Sequence, residues 1–158
     1  MLPPQRGLPS VTQQQTDTKK DLEGQLKIAC NVFIDSITQK TCAPMLAFLQ
    51  AAAALQEDPA AHLGAAPFAA PPKLLALAAG VRAALSDAVM APIRDKMALY
   101  LANPVTQRIL LKPVAANLNE ALINFRAIVE SHFDGAENIG AVRTEVAQAQ
   151  ELAAALAV

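Results

Sequence analysis

The 158-residue chain carries 13 basic and 14 acidic side chains for a net charge of -1, and it is 53% hydrophobic with 4% aromatic residues and no tryptophan. Its length suits one domain or a few stacked helices of a longer rod, and its charges are interspersed, which argues against nucleic acid because phosphate binding needs a concentrated basic surface. Much of the apolar fraction is alanine, and an Ala/Leu/Glu/Lys/Gln vocabulary with few β-branched runs predicts an all-α fold: antiparallel helical hairpins or a bundle forming part of a helical rod.

Residues 1–18 mix Pro, Gln, Thr and Ser without apolar periodicity, and the composition predicts a disordered lead-in with no apolar segment of the kind a signal peptide needs. The helical domain is expected over 19–158. Leu26, Cys30, Phe33, Ile37, Thr41, Met45 and Phe48 recur at spacings of three and four, so a first helix is expected from about Leu22 to Leu55. Glu57-Asp58-Pro59 ends it, and residues 56–72, with Gly64, Pro67, Pro71 and Pro72 among alanines, read as a flexible linker. A second helix is expected from Pro72 to about Ala102, with Leu74, Ala78, Val81, Leu85, Val89, Ile93, Met97 and Tyr100 on one face.

Asn103-Pro104 ends the second helix and caps a third, which presents Leu111, Val114, Leu118, Leu122, Phe125, Val129 and His132 before Asp134-Gly135 stops it. A weak alanine-rich helix is expected from about Val142 to Leu156, with Leu152, Leu156 and Val158 as its larger apolar side chains. Pro44, Pro92 and Pro113 each remove an intrahelical hydrogen bond, and each predicts a kink or local break.

The chain offers little to build a reaction centre from. Cys30 and Cys42 would lie about 18 Å apart on one helix, beyond disulfide reach, with no histidine near in sequence to activate either. His132, beside Glu130 and Asp134, has no second His or Cys at ligand spacing, and His62 falls in the linker without a partner. No glycine-rich phosphate loop, CxxC, HExxH or GxSxG occurs. The expectation is a protein that is not an enzyme, with no cofactor and no metal. The longest apolar run, Ala43 to Leu55, is interrupted by Gln50 and falls short of the roughly 20 residues of a membrane span.

Two blocks are specific as strings. Met97-Ala98-Leu99-Tyr100-Leu101-Ala102-Asn103 is followed by Arg108-Ile109-Leu110-Leu111-Lys112-Pro113-Val114, and together they closely resemble the C-terminal region of subunit 3 of the conserved oligomeric Golgi complex. Phe33, Ile34, Ile37-Thr38, Lys40-Thr41, Pro44 and Phe48-Leu49 agree with the same family, so the resemblance covers roughly residues 21–133. It implies a peripheral protein on the cytosolic face of Golgi membranes, in a tether that captures retrograde transport vesicles. The partners it implies are sibling tethering subunits, SNAREs, Rab-type GTPases and vesicle coat components. The rival readings are a stand-alone cytosolic helical adaptor and a small helical enzyme.

The same two blocks concentrate apolar surface. Leu99, Leu101, Ile109, Leu110 and Leu111 exceed what one buried stripe accommodates, so the corner is expected either to pack tightly as a helical hairpin or to meet a partner. The candidate contact residues are Tyr100, Leu101, Ile109, Leu110 and Lys112.

Overall fold

The computed structural model describes residues 11–58 and 61–158, and the described residues are helical with no strand. Residues 1–10 of the expected lead-in lie outside them, as do Pro59 and Ala60. The chain divides into two compact units, Met1–Phe33 and Ile34–Val158.

The first unit contains the start of α1 (Val11–Gln56), which begins well ahead of Leu22. Its opening turns have no apolar stripe, but Gln and Lys are good helix formers. Thr18 returns a hydroxyl bond to the Gln14 carbonyl at 2.9 Å, and Lys19 sits one turn from Glu23 at 3.8 Å. Leu22, Leu26, Ile28 and Val32 are exposed, so the stripe read from Leu26 onward is not buried in this unit. Periodicity marks a face and says nothing of what covers it.

In the second unit the stripe is realised: Ile37, Thr41, Met45 and Phe48 are buried, along with Cys42 and Ala52. Helical dihedrals break at Cys42 (φ -136°, ψ 19°), two residues before Pro44, whose missing N–H leaves the Lys40 carbonyl without its usual donor. The Thr41 hydroxyl donates to the Ile37 and Thr38 carbonyls at 2.8 and 3.0 Å, satisfying backbone groups beside the kink.

Residues 61–70 are packed through two side chains and a ring contact, where a flexible linker was expected over 56–72. Two 3-10 turns, Leu63–Ala65 and Pro67–Ala69, bury Leu63 and Ala69, and Phe68 meets the Phe48 ring edge to face at 5.9 Å. Prolines restrict the chain as much as they break helices, so a Pro-rich stretch with two anchoring side chains can be ordered.

The expected second helix is two helices, α2 (Pro71–Ala84) and α3 (Asp87–Tyr100). Leu85 is buried, Ser86 is extended (ψ 154°), and Asp87 stands in the first turn of α3, where a carboxylate is favoured by the helix dipole. The break also shifts the buried face by one residue: Leu74, Ala78, Val81 and Leu85 are buried as expected, but Met90 is buried where Val89 was placed, and Tyr100 is exposed. The 30 residues Pro71–Tyr100, which by length and composition alone are apolar enough to cross a membrane, are therefore split into two 14-residue helices. At about 21 Å each, neither spans a hydrocarbon core of about 30 Å.

α4 (Pro104–His132) is the centre of the core. Leu111, Val114, Leu118, Leu122, Phe125 and Val129 are buried along it, and Phe125 meets Phe48 edge to face at 5.4 Å. His132 departs from the expected stripe: it is exposed, and the buried position falls to Phe133, where the helix ends. Gly135 then adopts φ +82°, a left-handed conformation that an L side chain resists. α3 and α4 run through Pro92 and Pro113.

The last helix, α5 (Ile139–Ala155), is longer and better buried than its composition predicts. Ile139, Val142, Val146 and Leu156 are buried, whereas Val158 is exposed and Leu152 half-buried. Ala149 and Ala153 are fully covered, and their small side chains let α5 pack closely on α2 and α4. Arg82 of α2 pairs with Glu145 of α5 across that contact.

Candidate interaction surface

The corner between α3 and α4 is built by local hydrogen bonds. Leu101 N–H closes α3 on the Met97 carbonyl at 2.7 Å, and the Asn103 side chain accepts from Val105 N–H at 2.9 Å, capping α4. Gln107 reaches back with its amide to the Leu101 carbonyl at 2.6 Å, tying the connection to the first turns of α4. Pro104 occupies the first turn, where its absent N–H costs nothing. The corner is therefore held by backbone groups and the polar side chains of Asn103 and Gln107, and its large apolar side chains are not needed to close it.

Outward is where most of them point. Tyr100 is 86% exposed, Leu99 80%, Ile109 64% and Val105 52%, while Leu101 and Leu110 are half-buried and Lys112 is exposed. Of the five candidate contact residues, Tyr100, Ile109 and Lys112 thus stand at the surface, and Leu101 and Leu110 lie at its edge. Leu99, Val105 and Arg108 belong to the same surface but were not among the candidates. Their signal was available: Val105, Ile109 and Lys112 follow helical spacing on a face other than that of Leu111, Val114 and Leu118.

The corner is also electropositive. Four of the chain's thirteen basic side chains (Arg94, Lys96, Arg108 and Lys112) and one of its fourteen acidic ones (Asp95) lie between residues 94 and 112. Arg94 approaches Asp87 at 3.6 Å, but among the described residues no carboxylate pairs with Lys96, Arg108 or Lys112. Beside the corner, Arg94, Pro104, Gln107, Arg108, Leu111 and Leu156 help to line a concavity of about 690 Å³.

Among the described residues no three His, Cys, Asp or Glu side chains come together as a metal site would require. His62 and His132 are both exposed. Cys42 is buried, and burial pushes its thiol from the ordinary 9.0 up to about 11, against a smaller opposing effect of the Thr41 hydroxyl. A thiol so disposed is a poor nucleophile at neutral pH.

The model of the COG3 C-terminal cap domain matches residues 25–157, which takes in all of α2 to α5 and the whole corner. The chain belongs to the COG3 C-terminal cap family. Over 132 residues it is 32% identical to conserved oligomeric Golgi complex subunit 3 of Homo sapiens and, equally, of Mus musculus. Over 144 residues it is 27% identical to the Aedes aegypti protein of that name. Each alignment covers 80% of this chain but 16% of the relative, so the COG3 cap corresponds to a minor part of those proteins' length. No solved structure matches the chain. The cap match includes α5, which the two resemblance blocks did not reach.

Proposed function

We propose that this chain serves as the C-terminal cap of a Golgi vesicle-tethering subunit in intra-Golgi retrograde transport, acting by protein–protein scaffolding and catalysing nothing. The family match over residues 25–157 carries this reading. The geometry supports it, since helical faces bind partner helices by apolar grooves and exposed stripes without a reaction centre. The chain works on the cytosolic face of Golgi membranes, with sibling subunits of the tethering complex as its first partners. SNAREs, Rab-type GTPases and coat components are the further partners of the assembly. The α3–α4 corner, with Tyr100, Leu101, Ile109, Leu110 and Lys112, is one of its contact surfaces.

Loss of the protein from its own cells tests this reading. Retrograde recycling within the Golgi should slow, and glycosylation enzymes should leave their cisternae, with truncated surface glycans as the readout. Normal glycan profiles in a verified knockout would overturn it.

A further inference from the structure

The corner's side chains specify the kind of surface it meets. Leu99 and Tyr100 end α3, Val105 and Ile109 open α4, and a three-residue connection joins the two helices, so the four form one apolar tip. None of them lines the neighbouring concavity, whose walls come from Arg94, Pro104, Gln107, Arg108, Leu111 and the end of the chain. They are exposed outside it. A groove that grips a partner helix is concave and lined by its apolar residues; here the exposed apolar residues lie outside the concavity.

Cations lie beside the tip. Lys96 lies one turn before Leu99 and Tyr100, Lys112 lies one turn after Ile109, and Arg108 is the residue before Ile109 on α4. With four basic residues against one acidic between 94 and 112, this stretch is positive in a chain whose total charge is -1. Lys96, Arg108 and Lys112 have no carboxylate partner among the described residues. Aliphatic side chains that can enter the acyl boundary, a tyrosine at headgroup level and neighbouring unpaired Lys and Arg are the chemistry of a site that meets an anionic bilayer surface.

We infer that the α3–α4 corner docks directly on an anionic lipid surface, with Leu99, Tyr100 and Ile109 inserting shallowly and Lys96, Arg108 and Lys112 pairing with headgroups. This rests on the reading of the corner as a contact surface and names what it contacts. An acidic partner protein is the other occupant such charge would attract, and the position of Leu99, Tyr100, Val105 and Ile109 outside the concavity disfavours it.

Co-sedimentation of the full chain with phosphatidylcholine vesicles, with and without about a quarter phosphatidylserine, tests the inference. Binding is expected with the anionic vesicles only, and it should weaken as salt rises. Each cation contributes about fivefold to binding at such a surface, so K96E/R108E/K112E should lose well over tenfold. L99S/I109S should lose several-fold. Both variants alter exposed positions, and an unchanged melting curve guards against misfolding. Failure to sediment with anionic vesicles, equal binding to neutral ones, or binding indifferent to both variants would overturn the inference. If vesicles are not bound and the triple variant instead loses sibling subunits, the corner is a protein contact. If neither property changes, the contact reading falls as well.

Discussion

Two neighbouring aliphatic residues, Ile109 and Leu111, are expected to respond in opposite ways to the same substitution. Leu111 is 5% exposed within the core stripe of α4, and Ile109 is 64% exposed on the outer face of the same helix. Full burial of such a side chain is worth about 2 kcal/mol, so Ile109, with about a third of its surface covered, contributes about 0.7 kcal/mol. Ile109→Asp should therefore cost about 1 kcal/mol once the poorer helix propensity of aspartate is included. Leu111→Asp forfeits the full transfer energy and takes a carboxylate out of water, a cost that Arg94 and Arg108 on the same concavity offset only in part, and this adds about 3 kcal/mol. The sum, about 5 kcal/mol, is comparable with the entire stability of a small domain. Urea unfolding followed by circular dichroism reads both: Ile109→Asp should unfold slightly earlier than wild type, and Leu111→Asp should be largely unfolded without denaturant. Losses within about 1 kcal/mol of each other would refute the placement of the corner's two faces.

Phe125→Ala removes the ring at the centre of the core, which meets Phe48 at 5.4 Å, and should cost about 3–5 kcal/mol in the same assay; a loss under about 1 kcal/mol would contradict the core assignment. The Cys42 thiol, raised by burial from 9.0 to about 11, favours the folded state below its ordinary value, and that contribution is lost as pH rises through about 11. Between those values wild type should lose stability more steeply than Cys42→Ala, and parallel pH profiles would count against a buried thiol.

The helix limits were legible where the chain is punctuated chemically. Asn103-Pro104 both ends α3's connection and caps α4, and Asp134-Gly135 marks the turn after α4, because caps and left-handed positions restrict residue type. The break at Leu85-Ser86 was not legible from the apolar stripe, since Leu85 stays buried and the shift from Val89 to Met90 is one residue in a pattern that tolerates spacings of three or four. The docking of α5 was underestimated for a related reason. Alanine counts little as bulk, but Ala149 and Ala153 matter by allowing close approach. At the corner, density of apolar residues identified the place and could not apportion it. Leu111 and Ile109 look alike in composition, and their separation into core and surface comes from the orientation of α4 against its neighbours, which only the tertiary structure fixes.

Isolation of the tagged chain from cells, with its companions identified by mass spectrometry, tests the central functional claim most directly. Recovery of the other subunits of the conserved oligomeric Golgi complex in constant proportion is the predicted result. A chain recovered in folded form without any of them would contradict the assignment to Golgi tethering.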